Sequence, residues 1–542
     1  MKQIKDPLYG YIEVEDEFLP LIDSAEFQRL RNIRQTGYAA LYPSALHNRF
    51  VHSLGVFHLG KKAISSFAKN ISGSKIFNEW KIWENTFILA CLLHDVGHSP
   101  FSHTGEEFYK ASTDFSDIFQ KLINSDELDI DARTGYGKPH EAMSAYVGIK
   151  MINEYSLQSS FNSELFVRAI TGVKYTTKTT NTLVLNTIIE MLNGSVIDVD
   201  KLDYLIRDAY VTGYKSMVID VDRLLSGYTL STFVGEDNNE KKVAVYKKSA
   251  LSVVENVVYA NDLERRWIQS NPTVLYDCKL IELAIKRYDE YMRKNYAALN
   301  KYKNVFNINS ISKEGYPDEE KIELRLLSDD DIISYLKNNK STEIRNISKQ
   351  YFSRNDRYKP LWKSEPEFAE VVKKELGARI LRELKSLLRI QTSPPNEMFF
   401  IDEIEFQKYK RELDELISSN NASESHIAAR KSTLKIYNLF RKFSNDFNYS
   451  FKFAVIYGNH FESNYKKLEV NNIFVEVSPN KAIELGKTLS VQAITATEEE
   501  QQGLFYIYTT RENIKKSVDK KKTLVQELVA FIQAHWDEEM EY

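Results

Sequence analysis

The stretch LLHDVGHSPFSH, Leu92 to His103, sets three histidines and a carboxylate directly behind an apolar run. The eight residues before His94, TFILACLL from Thr86, are almost wholly apolar. That pattern predicts a helix buried on all sides rather than an amphipathic one. Its C-terminal end carries His94 and Asp95 side by side. A buried carboxylate without a partner is costly, so a charged pair in such a place sits on a partner or on a metal. Gly97 and Pro100 stop the helix. His98 and His103 follow within nine residues of His94. A satisfied buried His–Asp pair is the plain reading; a metal site is the other, and the rest of the chain favours it.

Histidine placement is the first reason. The chain has 10 histidines, and seven of them (His47, His52, His58, His94, His98, His103 and His140) fall between positions 47 and 140. Upstream lies HNRFVHSLGVFHLG, residues 47–60, in which His52, Val56, Leu59 and Gly60 recur at helical spacing. Arg49 and His52 are three apart and share a face. His58 is off that face and reads as structural, and spacing alone does not place His47. Further upstream, residues 24–36 have helical spacing with Ser24 as N-cap. Their polar side carries Gln28, Arg29, Arg31 and Arg34. It reads either as a solvated basic face or as a phosphate site, since arginine forks suit phosphate oxygens.

Downstream, residues 112–137 are polar and loop-like, and Pro139-His140-Glu141 opens another helix. Residues 187–208 form the second constellation. Apolar Ile188, Ile189, Leu192, Val196 and Ile197 lead into Asp198, Asp200, Asp203 and Asp208. Asp200, Tyr204 and Asp208, spaced by four, fall on one helical face with Lys201 beside them. The interleaved Val199, Leu202, Leu205 and Ile206 make this helix half-buried rather than a solvated run of acids.

With 542 residues the chain has room for several domains. It is 43% hydrophobic and 27% charged with net charge −4, so nothing in its bulk charge points to nucleic acid or a membrane surface as the main partner. Cys91 and Cys278 cannot make a disulfide framework, so a reducing, cytoplasmic setting is expected. No apolar run approaches the ~18 residues of a membrane span. Residues 2–22 read as irregular, 229–247 as a β-hairpin, and 249–300 as one long helix. Residues 302–325 read as a loop or insertion, with helices at 329–340, 365–390 and 404–417. From 449 the texture changes to strands (FKFAVIY, NIFVEV, LFYIYTT) and a closing helix. The fold class is therefore mainly α: a helical core with a small β-hairpin, plus a smaller α+β C-terminal lobe. Its expected segments are 1–300, the catalytic core; 301–440, a helical region with insertions; and 441–542, the lobe.

Two histidines and two carboxylates, from His52, the His94–Asp95 pair and one acid after Ile197, make a mixed site that suits Fe, Mn, Zn or Mg without choosing among them. A metal so held polarises phosphoryl oxygens and acidifies water. Nearby histidines can protonate a leaving oxygen near neutral pH. Arg49 and Lys201 can neutralise phosphates. These residues lead to metal-dependent hydrolysis of a phosphoester or phosphoanhydride, and no further.

The motifs HNRF-x-HSLGV, C-x-LHD-x-GH-x-PFSH and IDVDK-x-DY-x-x-RD resemble the H…HD…D signature of the HD-domain phosphohydrolases. The match is to the deoxynucleotide triphosphohydrolase branch, which holds the vertebrate SAM-and-HD-domain dNTPases and bacterial dGTPase-like relatives. DSAEFQRLRNIRQ (23–35) and, less specifically, SPNKAIELGK (478–487) are similar too. By that resemblance the chain begins at the catalytic part, without a SAM domain. The resemblance implies hydrolysis of a dNTP to deoxynucleoside and triphosphate. It implies His52, His94, Asp95 and Asp200 as metal ligands, with Mg accompanying the nucleotide. It implies His103 as proton donor assisted by Glu106, and His98, His140, Arg49 and Lys201 on the phosphates. Gln35, Tyr204 and Asp208 would read the deoxyribose. An activating nucleotide would be gripped by Lys2, Asp23, Gln28 and Arg31 in a homo-oligomer, a tetramer by preference.

Four positions depart from the family pattern. Glu106 stands where relatives carry Asp, Ala260 in place of a phosphate-binding arginine, Ile268 in place of an aromatic, and Thr36 in place of Leu. Two other functions compete. One is an HD phosphodiesterase or nuclease on oligonucleotides or cyclic dinucleotides, disfavoured by the missing GYP extension and the neutral charge. The other is a nucleotide sensor with little turnover. Control of dNTP pools and antiviral dNTP depletion both follow from the leading reading.

Overall fold

The computed structural model describes residues 1–73, 77–106, 138–155, 157, 161–214, 218–234, 240–296, 326–354, 356–391, 398–418, 424–457, 473–478, 481–487, 505–517 and 521–538. The expected loops at 112–137 and 302–325, and residues 479–480 of the C-terminal motif, lie outside the described residues.

The chain is mainly helical and divides into two compact units. The first comprises Met1–Arg265, Asp289–Tyr335 and Asn464–Glu498. It opens with strands β1 (Lys2–Asp6) and β2 (Gly10–Val14), paired antiparallel from Lys2↔Val14 to Asp6↔Gly10. The expectation of an irregular 2–22 is therefore corrected. Five-residue strands are too short to show their period, but Ile12 and Val14 alternate inward, and Gly10 takes φ 76 at the turn.

Next come the short helices α1 (Leu19–Asp23) and α2 (Ala25–Arg29), the latter capped by Ser24, whose hydroxyl accepts from Phe27 N. The long helix α3 (Arg49–Ile71) comes after them, capped by Asn48. Helix α4 (Trp80–Leu93) is the apolar run, buried from Thr86 to Leu93 without a break. Helices α5 (Pro139–Glu154), α6 (Ser163–Thr171) and α7 (Thr180–Leu192) wrap it, and α8 (Val199–Thr212) lies along α3. Burying each Leu or Phe of α4 contributes roughly 1.5–3 kcal/mol, so this helix anchors the His94–Asp95 pair at its C-terminal end.

The expected hairpin is present as β3 (Tyr228–Val234) and β4 (Glu240–Lys247), in register from Tyr228↔Tyr246 to Val234↔Glu240. It does not stand alone. Strands β8 (Phe474–Ser478), which runs into the C-terminal motif, and β9 (Lys481–Glu484), within it, close it into a four-stranded barrel. Phe233, Val245 and Ala482 pack inside.

The expected single helix at 249–300 is broken. Helix α9 (Leu251–Leu263) passes into a π-helical turn at Glu264–Gln269, and a new helix starts at Pro272, which cannot continue the old one.

The second unit comprises Arg266–Tyr288, Leu336–Ser463 and Glu499–Tyr542. Its sheet has the order β5 (Lys359–Pro360), β10 (Phe505–Thr509), β7 (Lys452–Tyr457), β6 (Met398–Asp402), all antiparallel. Helices Lys374–Gln391, Glu424–Asp446 and Lys521–His535 belong to the same unit. Among the described residues no helix is long and apolar enough to cross a membrane.

Candidate metal centre and active site

Three helices deliver the central cluster. His52 lies one turn into α3, His94 and Asp95 terminate α4, and Asp200 is in the first turn of α8. The His52 Nε2 and His94 Nε2 atoms are 3.3 Å apart. Asp200 Oδ1 lies 3.0 Å from the first and 3.7 Å from the second. The Asp95 carboxylate is 3.5 Å from His52 Nε2 through Oδ2 and 3.6 Å from His94 Nε2 through Oδ1.

The orientation of the rings matters as much as the distances. His52 Nδ1–H donates to Asp203 Oδ2 at 2.7 Å, and His94 Nδ1–H to the Cys91 carbonyl at 3.0 Å. Both Nε2 atoms thus face the same point, where a cation would take their lone pairs. Two nitrogens on one metal, each about 2.1 Å from it, lie about 3.0–3.4 Å apart. His52, His94 and Asp200 each offer one donor atom within 4.8 Å of the others, with Asp95 beside them, a set that could hold a divalent ion.

Electrostatics agree. Burial works to lower His52, but hydrogen bonds to Asp200 and Asp203 and the charge of Asp95 overturn it and raise the ring to about 10. Burial also works against ionisation of Asp95, yet Arg49, His94 and His52 hold it at about 2. Asp200 is held well below its usual range against burial by the same two histidines. The cluster demands positive charge, which a cation between the nitrogens supplies.

The four acids of α8 separate by role. Asp198 is the helix N-cap: it accepts from Lys201 N at 2.7 Å and Gly194 N at 3.0 Å. Asp200 joins the His52–His94 cluster. Asp203 orients His52. Asp208 sits 2.8 Å from His47, which answers where that histidine belongs. Burial pushes Asp208 up to about 7, opposed by a hydrogen bond with Glu264. Lys201 Nζ is engaged by the Asp198 carboxylate and by Gly194 O at 2.8 Å.

A second cluster adjoins the first. Glu106 Oε1 bridges His103 Nδ1 at 2.6 Å and His140 Nδ1 at 2.5 Å. His98 stacks on His140 with centroids 4.2 Å apart, and His98 Nε2 is 3.6 Å from Asp95 Oδ1. Burial would raise Glu106, but the charges of and hydrogen bonds from His103 and His140 hold it well below its usual range. Burial and the Arg49 charge keep His98 neutral, and its ring nitrogens have no hydrogen-bond partner among the described residues. The His103 side chain is 63% exposed.

The loop between the clusters is tightly held. Phe101 and Ser102 adopt φ 58 and 53, a conformation that non-glycine residues seldom take. Asp329 Oδ1 accepts from Phe101 N at 2.6 Å and its Oδ2 from Arg34 N at 3.0 Å. Arg49 donates to Asp95 Oδ2 at 2.6 Å and to Ser102 Oγ at 2.9 Å. Asp329 and Asp203 were missed as site residues by sequence reasoning. Asp203 was visible as one of four acids, whereas nothing marked Asp329.

Gln35 is buried beside His47, whose carbonyl accepts its backbone N–H, and its Oε1 has no partner among the described residues. Tyr204 lies within the charge field of Glu264, Asp200 and Asp208. Ala260 and Ile268 are both fully buried. His58 stacks on Tyr9, a structural contact.

The basic face of 24–36 is corrected at Arg29. This side chain is buried and donates to the carbonyls of Leu327 and His98, both at 2.6 Å, so it holds the fold. The exposed remainder stays together: Lys2 is 3.8 Å from Asp23, Gln28 Nε2 donates to Ile22 O, and Arg31 Nε donates to Gln28 Oε1.

Residues 49–170, which hold His52 and the His94–Asp95 pair, match the HD domain family. Beyond the domain, the chain is similar to the deoxynucleoside triphosphate triphosphohydrolase SAMHD1 homolog of Dictyostelium discoideum, at 32% identity over 41% of this chain and 39% of that protein. It is also similar to SAMHD1 of Homo sapiens, at 28% identity over 56% of this chain and 47% of that protein. The chain spans about half the length, or less, of the curated relatives it matches. A crystal structure of a hypothetical protein from Aquifex aeolicus aligns over 98% of this chain and 99% of that chain, with TM-score 0.52 and 20% identity, a likeness of fold.

Proposed function

We propose that this protein is a metal-dependent dNTP triphosphohydrolase, cleaving a dNTP to deoxynucleoside and inorganic triphosphate. The observation that carries the reading is the pairing of two clusters. One offers donors for a divalent cation; the other, beside it, is a histidine tied to a carboxylate.

His52, His94, Asp95 and Asp200 would hold the ion. When bound, it withdraws charge from a phosphoryl oxygen and lowers the pKa of a water. The identity of the ion, among Fe, Mn, Zn and Mg, is left open by the donor set. The protein groups do the rest. Glu106 fixes His103 Nδ1 and leaves Nε2 to give its proton to the departing O5′. Arg49 has five donors, two of them committed to Asp95 and Ser102, and lies where it can meet phosphate. His98 and His140, stacked beside it, add polar contacts for the same oxygens. Gln35, whose Oε1 has no hydrogen-bond partner among the described residues, would meet the deoxyribose together with Tyr204 and Asp208.

An activating nucleotide on Lys2, Asp23, Gln28 and Arg31, with assembly to a homotetramer, belongs to the same proposal. The similarity to SAMHD1 enzymes supports it. Pool control and antiviral dNTP depletion are both roles for such an activity in the cytoplasm.

The test is product analysis. The Mn- or Mg-loaded protein is incubated with each dNTP, alone and in mixtures with GTP and the other dNTPs. Deoxynucleoside with triphosphate is expected, with turnover reduced by at least about 100-fold in His103→Ala. Nucleoside monophosphate, or cleavage of oligonucleotides alone, transfers the protein to the phosphodiesterase reading.

A further inference from the structure

The metal ligand His52 is not held by its own helix alone. Its Nδ1–H donates to Asp203, which is wholly buried. Asp203 receives three further hydrogen bonds: from Arg207 Nε on Oδ2 and Arg207 Nη2 on Oδ1, both at 2.9 Å, and from the Tyr9 hydroxyl on Oδ1 at 2.8 Å. Arg207 Nη1 in turn donates to Asp6 Oδ2 at 3.0 Å. The other Asp6 oxygen accepts from Leu8 N at 2.8 Å and Tyr9 N at 3.2 Å, which shapes the β1–β2 turn. A continuous buried path of hydrogen bonds runs from the N-terminal hairpin to the metal-facing imidazole.

Space for this path is reserved in α3. A Cβ on Gly55 would lie 1.9 Å from Asp203 Oδ1 and 2.6 Å from Arg207 Nη2. Only glycine leaves room for the carboxylate to reach His52, which accounts for the glycine of the HSLGV motif.

We infer that the β1–β2 hairpin is part of the metal centre: Tyr9 and Asp6, acting through Arg207 and Asp203, hold His52 in the tautomer and orientation that present Nε2 to the ion. Asp203, Arg207, Tyr9 and Asp6 are positioning residues. Without the Asp203 acceptor the His52 ring loses both its fixed tautomer and its fixed rotation, and an outer partner of this kind typically governs about 10–100-fold in metal affinity. Arg207 holds both Asp203 oxygens from one side, and Tyr9 directs the second of them. The inference rests on the metal reading above and extends it to a segment that touches neither ion nor substrate.

Co2+ is the probe, because its visible spectrum reports its ligands. Affinity and spectrum are measured on the full chain for wild type, Tyr9→Phe, Asp203→Asn and His52→Ala, with circular dichroism to establish folding. Asp203→Asn is expected to weaken Co2+ binding about 10–100-fold and to shift the visible band. Tyr9→Phe, which removes one hydroxyl and leaves the fold intact, is expected to move both in the same direction by less. Folded variants that bind Co2+ with wild-type affinity and spectrum overturn the inference while leaving the metal reading in place. A wild type that takes up no Co2+, or His52→Ala that retains it fully, overturns the metal reading, and the inference with it.

Discussion

At the scale of single residues, the site is a problem of telling like from like. Four aspartates stand within eleven positions at α8, and of them Asp200 faces the two Nε2 atoms of the histidine pair; Asp198 caps the helix, Asp203 braces His52 from its Nδ1 side, and Asp208 meets His47. The spacing of four put Asp200 on a face with Tyr204 and Asp208, which was legible. That Asp203 meets a histidine 151 positions earlier was not, because helical period says nothing of the neighbouring helix. Asp200→Asn should cost the bound metal and lower turnover by more than about 100-fold, beyond the 10–100-fold set by outer partners; metal analysis of the purified variant checks it. Asp329 gives a pH prediction. Burial raises it to about 6, opposed by the backbone bonds from Phe101 and Arg34. Its carboxyl therefore holds a proton in the folded protein that it loses in the unfolded one, and its contribution falls as pH rises from about 4 through 6. The difference in melting temperature between wild type and Asp329→Asn should narrow across that window. A constant difference would contradict it.

Among the elements, helix α4, the β3–β4 hairpin and the apolar strands of the C-terminal region were legible, and strands β1, β2 and β6 were not. Helix α4 shows its burial in sequence because eight consecutive apolar residues admit no exposed face. Strands β1, β2 and β6 are five residues each, too short for alternation to be read against the background. Arg29 looked like its neighbours Gln28 and Arg31, and only the tertiary fold buries it. The helix end after α4 depends on close approach. A Cβ on Gly97 would stand 2.3 Å from Ser144 N in α5, so Gly97→Ala should destabilise the protein by about 1–3 kcal/mol in chemical denaturation. On the opposite side of the proposal, α2 and the turn after it present Gln28 and Arg31. Arg31→Ala should weaken nucleotide activation or assembly while leaving metal content intact. An unchanged activator response in that variant would remove Arg31 from the activation site.

For the whole molecule, the sequence reading reached the fold class but not the way the chain returns on itself. Strands β8 and β9 come from the C-terminal quarter yet complete a barrel with β3 and β4, more than two hundred residues upstream, within the first unit. Strands β7 and β10, which flank them in sequence, belong to the sheet of the second. Local pattern identifies such strands as strands and carries no information about their partners. The site has the same character: His52, the His94–Asp95 pair and Asp200 come from three separated helices, and the histidine cluster within 47–140 was the signal that joined them. The most direct test of the account follows the oxygen. Hydrolysis is run in 18O-water with a dNTP, and both products are analysed by mass spectrometry. Attack of water on the α-phosphorus with protonation of O5′ by His103 predicts unlabelled deoxynucleoside and one 18O in the triphosphate. Label in the nucleoside, or release of nucleoside monophosphate with pyrophosphate, would contradict it.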